Sequence, residues 1–530
     1  MLRSVAALLL GGLLLCTTGC KKDPNTPAYW DAALKKAHST PDKLRVLNTL
    51  TTSSFLALPV VPVLQAHLVA EKSPPVKAAL ARALGMVKDA SSVPPLIGAI
   101  DISSSATEVQ SANREIVTAL SNLADPTAIP ALLPLLHNSD PFTRVNAIDA
   151  LGKLKAKEAV EPLMKLAADG TVEPLEVRRA ILALGDIGDT RALPLLVQML
   201  YQERGALSFY QESAFALFAF GKPAVDALLP VLDGKDAALN AWAKEQKISD
   251  GALFAKAAQV LGDLDDASAE RSLLARLAFQ AADPAQRLFV RMMAASALGR
   301  MHSHAGAKAL ESMVDETEPM ARMDYLRALA FAGGPDSAPA VASAAAKGPW
   351  ELREPTLATL GLLAADVTAT EKVRKDERAK TAAECKQSPG DEGCQKVEDL
   401  TLARLKAVDA AELPIRAAEE CKADMACWAK KLDENDVGVR RRAALELGKH
   451  GKGADVKALL SHLTEKELET RLYIIQAANF LVDHDAGAAT AARDSLPALD
   501  KQLADERGKS EFSNVSEELH RLLARLLRKA

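Results

Sequence analysis

Four cysteines fall within a short reach of the last third of the chain. Cys385 and Cys394 flank the turn-rich stretch 386–393, and Cys421 and Cys427 flank 422–426. Three chemistries use such sets. A structural zinc site takes short knuckles of the C-x2-4-C kind, which the spacings C-x8-C and C-x5-C fit poorly. A dithiol redox centre is normally C-x-x-C. An even number of cysteines in an exported chain reads as disulfides, with three connectivities open. The local pairs Cys385–Cys394 and Cys421–Cys427 are favoured because each intervening stretch makes a tight turn. A crossed pairing of two adjacent helices is the rival. Loops this short are worth about 2–3 kcal/mol each.

Little else in the chain suggests catalysis. It carries no G-x-S-x-G elbow, H-E-x-x-H helix or G-x-x-x-x-G-K-[ST] loop. His302 and His304 form the one close histidine pair, placed just after a helix end, where exposed polar residues are ordinary. No catalytic residue, metal or cofactor is expected. Aromatic residues make up only 4% of the chain, yet Phe209, Tyr210, Phe215, Phe218 and Phe220 gather within 205–220, and Trp242 follows in the lengthened stretch 233–251. Core packing is the plainer role for such a cluster, and anchoring an interface is the sharper one. Phe209, Tyr210 and Trp242 are therefore the candidate partner-binding residues.

The first twenty residues carry a different chemistry. Arg3 precedes an apolar run, Val5 to Leu15, too short for a permanent span, so residues 1–19 read as an export signal. Its end, Thr17-Thr18-Gly19-Cys20, resembles the lipobox of bacterial lipoproteins, with Thr17 where Leu is usual. The resemblance implies that Cys20 carries a thioether-linked diacylglycerol and an acylated amine, enough acyl chain for stable anchoring. Residues 20–41 would form the lipidated end and tether. The absence of Asp after Cys20 favours the outer over the inner membrane, facing the periplasm.

Charge is nearly balanced. The 65 basic and 69 acidic residues are interspersed and the net charge is −4, so nucleic acid is not an expected partner. Hydrophobic content of 48% with few aromatics means that Ala, Leu and Val carry the core, as suits closely packed helices.

The elements behind these residues come from one recurring phrase. Val290, Ala294, Ala297 and Leu298 make an apolar stripe on a helix, and Gly299 reads as its stop. The phrase returns at 76–85, 112–121, 143–152, 176–185, 209–218, 253–262, 321–330, 352–361, 439–448 and 470–479. Each copy is the second helix of a hairpin. First helices are also legible, as at 129–136, where Pro134 lies deep enough to kink, and at 160–166. Asp140-Pro141, Asp283-Pro284 and Glu318-Pro319 supply an N-cap acceptor and a first-turn proline. Short hairpins with one apolar stripe must stack on neighbours.

These residues resemble HEAT repeats, specifically the short class also found in phycobilin lyases, over 42–365 and 431–490. The resemblance implies an all-α solenoid of stacked antiparallel helix pairs. The chain then divides into a repeat array at 42–365, a charged helical insert with the four cysteines at 366–430, and C-terminal repeats with a capping helix at 431–530. Eight places before the closing position stands a basic residue: Lys77, Arg144, Arg291, Arg322, Arg353 and Arg440. By the same resemblance these pair with an Asp of a neighbouring turn, Asp140 in the row of Arg144 and Asp436 in that of Arg440. Iron enzymes of HEAT-like type carry His-Glu dipeptides, and this chain has none. The expected function is a non-enzymatic, lipid-anchored periplasmic scaffold that binds a protein or peptide along its concave surface. The alternative is an enzyme or small-molecule carrier with a pocket in the concavity or the cysteine insert.

Overall fold

The computed structural model describes residues 23–387, 391–509 and 514–529. Cys20 and the export signal lie outside them. Among the described residues the chain is helical apart from one small hairpin, Glu203–Arg204 against Leu207–Ser208. It is an all-α solenoid of stacked helix pairs. It divides into two compact units, 1–183 and 184–530.

The first unit contains α1 (Pro27–Lys36), α2 (Thr40–Thr51), α3 (Val61–Ala70), α4 (Pro74–Val87), α5 (Val93–Ala99), α6 (Thr107–Leu123), α7 (Ile129–Leu132), α8 (Pro141–Lys153), α9 (Val160–Ala168) and α10 (Pro174–Ile187), the last carrying the division point. The stretch read as a tether is not all tether: α1 occupies part of it, with Trp30 and Leu34 buried. Second helices α4, α6 and α8 stack side by side. Pro134 sits where α7 passes into a tighter 3-10 turn, Leu133–His137, since a proline there has no N–H to continue the helix.

The second unit holds α11 (Leu193–Met199), α12 (Tyr210–Phe220), α13 (Lys222–Leu232), α14 (Ala237–Glu245), α15 (Asp250–Leu264), α16 (Glu270–Leu277), α17 (Pro284–Arg300), α18 (His304–Leu310), α19 (Pro319–Ala332), α20 (Ala338–Ala345) and α21 (Trp350–Leu363). It continues through α22 (Thr368–Gln387), α23 (Asp391–Cys421), α24 (Met425–Lys431), α25 (Val437–His450), α26 (Val456–Ser461), α27 (Leu468–His484), α28 (Ala486–Ala492), α29 (Leu496–Lys509) and α30 (Asn514–Lys529).

The local signals work as their chemistry requires. Asp140, Asp283, Glu318 and Asp436 each accept a backbone N–H in the first turn of α8, α17, α19 and α25. The closing glycines do something other than stop helices. Gly299 lies inside α17, which runs on to Arg300 with Met301 as its cap. A Cβ on Gly262 would stand 2.5 Å from the Cα of Ala297 in the next second helix, and one on Gly152 would stand 2.9 Å from that of Ala183. Gly85, Gly299 and Gly448 face Ala119, Ala328 and Ala477 in the same way. The glycine lets two helix backbones touch, so it sets repeat spacing.

The cysteine-bearing segment is likewise no interruption of the array. Its long helices α22 and α23 form a hairpin that takes a repeat's place: α23 packs on α21, Gly361 lies against Ala411, and Val408 and Ile415 are buried. Nor is the charged face of α22 wholly solvated. Glu377 is buried in ion pairs with Arg353, Arg404 and Lys380.

Candidate functional site

The two disulfides join Cys385 to Cys394 and Cys421 to Cys427, the local connectivity. The first ties α22 to the start of α23, and the second bridges the α23–α24 corner.

The basic row is real, but its acceptors differ from the expected aspartates. Arg144 forms a two-point contact with Glu176 of the next second helix, at 2.8 and 2.5 Å. Arg322 reaches Thr356 and the Ala344 carbonyl, Arg353 reaches Glu377, and Arg440 reaches Glu465. Asp140 and Asp436 cap their own helix starts, at Thr143 N and Val439 N, and Asp140 also lies 3.8 Å from Arg114 of the preceding second helix.

The aromatic repeat also reads differently in three dimensions. Phe209 is 0% exposed, so it is core and unavailable to a partner. Tyr210 is half-buried beneath Lys256, and burial pushes its hydroxyl pKa well above the usual value. Trp242 is half-buried on α14, an extra helix that lengthens this repeat. The neighbouring rings do anchor an interface, though with this chain's own end. Phe215 lies 4.3 Å from the ring of His520, and the guanidinium groups of Arg525 and Arg528 lie 5.0 and 4.6 Å over Phe218.

Those contacts belong to α30, which crosses α12, α15 and α17 within the second unit. One stripe of α30 is apolar: Leu519, Leu522 and Leu526 share a core with Leu499, Leu503 and Val482 of the terminal repeats. The adjacent stripe, Glu518, Arg521, Arg525 and Arg528, is ionic. Arg300 bonds both Asp263 (2.7 Å) and Glu518 (2.6 Å), Arg521 reaches Asp263 at 2.9 Å, and Gln211 donates to Glu517. Burial alone would raise the Glu518 carboxyl, but Arg300 and Arg521 overrule it and hold its pKa at about 2.

A pattern runs through this closure. Arg525 donates to the Asp263 carbonyl at the end of α15, and Arg528 to the Phe218 carbonyl at the end of α12. Lys449 donates to the Ala330 and Gly333 carbonyls closing α19, and Arg442 to the Gly361 and Ala364 carbonyls closing α21. Cations from the terminal repeats thus cap the carboxyl ends of four second helices, where orphan carbonyls and the helix dipole favour positive charge. No sequence signal announced this, since the partners lie between 78 and 310 residues apart.

His302 sits within this closure, stacked on Phe480 at 3.6 Å with Phe331 edge-on. Burial, with Lys449, His484 and His450 nearby, holds its pKa well below the usual range. At Lys449 a cavity of about 610 Å³ opens among Gly333, Leu362, Trp428, Leu445, Arg442 and Lys449. Burial brings the Lys449 ammonium down to a pKa of about 8. Among the described residues, no helix is long and apolar enough to cross a membrane.

Family models match part of the chain. Residues 106–178 match HEAT repeats, and 177–202 match the PBS lyase HEAT-like repeat. None of the curated proteins compared with the chain matches it. Among solved structures, human deoxyhypusine hydroxylase in complex with glycerol is 21% identical over 51% of this chain and 95% of its own, with a TM-score of 0.22. The CpcE–CpcF complex of phycocyanin lyase from Nostoc is 22% identical over 51% of this chain and 93% of its own, at 0.27. Importin beta is 13% identical over 94% of this chain and 71% of its own, at 0.45.

Proposed function

We propose that this protein is a non-enzymatic HEAT-like scaffold, anchored by lipid on Cys20 at the periplasmic face of the outer membrane, that binds a protein or peptide partner along the flank of its second helices. The observation that carries this reading is the way those helices treat α30: in the second unit the flank of α12, α15 and α17 already receives a helix. In the first unit the second helices carry paired charges, Arg82 with Glu115 and Asp149 with Arg179, and, at the starts of α8 and α10, exposed Phe142 (57%) and Leu175 (51%). Mixed charge beside isolated apolar side chains suits a polypeptide partner.

Two experiments test the two halves. Palmitate labelling and membrane fractionation should place the chain with membranes, and Cys20→Ala should release it unlabelled; membrane association of an unlabelled chain would remove the lipid anchor from the account. Affinity capture from solubilised envelope should recover a protein partner, and recovery of none above background would count against the scaffold.

A carrier is the second reading, favoured by the cavity beside Lys449 and the disulfide-bridged corner. Equilibrium dialysis against short- and medium-chain fatty acids tests it, since the lining combines apolar walls with Lys422, Arg442 and Lys449 against Glu419 and Glu446. Absence of saturable uptake, or uptake unchanged by Arg442→Met, would remove it.

A further inference from the structure

We propose that the edge formed by α12, α15 and α17 is a docking site for a cationic amphipathic helix of a protein partner, and that α30 is its resident, displaceable occupant. The inference rests on the scaffold reading and sharpens it by naming the partner's chemistry. What the site selects is visible in what fills it. Glu518, Arg521, Arg525 and Arg528 fall at i, i+3, i+7 and i+10, one continuous stripe on a helix. Each member meets a matching group: Arg300 for Glu518, Asp263 for Arg521, the Asp263 carbonyl for Arg525 and the Phe218 carbonyl for Arg528.

The receptor side is built from the carboxyl ends of α12 and α15. The Asp263 carbonyl lies in the last turn of α15, the Phe218 carbonyl takes a second donor beside the Gly221 N–H, and the Asp263 side chain, bonded to Arg300 and 3% exposed with α30 in place, adds a fixed anion. The Phe215 and Phe218 rings offer faces to arginine. The resident is held to this edge through polar contacts, while its leucine stripe faces the other way, into the terminal repeats. Exchanging one set of buried ion pairs for another of the same kind is close to neutral, whereas leaving them unpaired is costly. A partner helix with the same arginine row can therefore compete, and a helix without it cannot.

The test uses a fluorescent synthetic peptide of residues 514–529 and the full chain. In the variant Arg521→Glu/Arg525→Glu the resident stripe is repelled by Asp263, and the peptide is expected to bind at least tenfold more tightly than to the unaltered chain. Binding should weaken at least tenfold when Asp263→Asn is added, when the peptide's arginines are replaced by glutamine, and in 1 M salt. Equal binding to both chains, or binding indifferent to Asp263 or to the peptide's arginines, overturns the proposal. The unaltered protein supplies a check independent of variant folding: 1 M salt should speed hydrogen exchange in α30 and α12 several-fold while α4 to α8 stay unchanged. Salt-insensitive exchange in α30 would also overturn it. Because the probe is the chain's own sequence, this outcome is separate from whether the first unit captures an envelope partner.

Discussion

Arg525 Nη2 donates at 2.7 Å to the main-chain oxygen of Asp263, a residue 262 positions earlier. Its Nη1 also reaches Asn479 at 2.8 Å and its Nε reaches Asp483 at 3.2 Å. One buried side chain thus joins α30 to both α15 and α27. Arg525→Met removes those donors and strands their acceptors, so a loss of about 3–5 kcal/mol is expected, as for breaking other buried ionic contacts. Urea unfolding followed by circular dichroism measures it. Arg525→Lys, which keeps charge but loses the fork, should recover only part.

Acid should weaken the second unit in two stages. His302 has a folded pKa well below its ordinary 6.5, so the unfolded chain binds the extra proton and stability falls as pH drops through about 6.5. Glu518 is held at about 2 against an ordinary 4.5. Its contribution is fully present above about pH 4.5 and is lost as pH falls from there towards 2. Urea midpoints measured from pH 8 to pH 3 should show both losses. His520, held at about 3 by burial with Arg507 and Arg521 nearby, shares the upper loss, so His302→Gln should reduce it and His302→Gln/His520→Gln should erase it. A single loss, or an upper loss surviving in the double variant, would contradict the neutral imidazoles.

Gly262→Ala tests the backbone contact between α15 and α17. The new methyl would stand 2.5 Å from the Ala297 Cα, so the helices must separate, at a cost of about 1–3 kcal/mol. Gly508→Ala, inside α29 with nothing within 4 Å of the new carbon, is the matched helical control and should not destabilise. Equal effects at both sites would show that helix propensity, not close approach, governs the position.

The disulfides make a chemical prediction. Under denaturing, non-reducing conditions none of Cys385, Cys394, Cys421 and Cys427 should react with a thiol reagent, and all four should react after reduction. Each bridge should contribute about 2–3 kcal/mol, and reduction should loosen α22 and α23 first, measurable by proteolysis.

What the sequence made legible was local. The apolar stripe of Val290 to Leu298, the Asp-Pro helix starts and the short cysteine loops all act within a few residues, so spacing reveals them. Gly299 was misread as a stop because a helix-breaking glycine and a glycine that admits a neighbour look alike without the neighbour, Ala328. The α22–α23 repeat was missed because its helices are long and Leu413 stands where the closing glycine would be, although Ala411 meets Gly361 as Ala297 meets Gly262. The aromatic cluster stood out by composition, but what Phe215 and Phe218 pack against, the arginine stripe of α30, lies some three hundred residues away with no shared period to betray it.

The central claim, that the flank of the second helices is where a partner lies, is tested most directly by site-specific photocrosslinking in intact envelopes. A photoreactive residue replacing Phe142 or Leu175, exposed at the starts of α8 and α10, should crosslink to one defined protein, and the same residue replacing Lys165 on α9 should not. Crosslinking from Lys165 with none from Phe142 and Leu175 would contradict it.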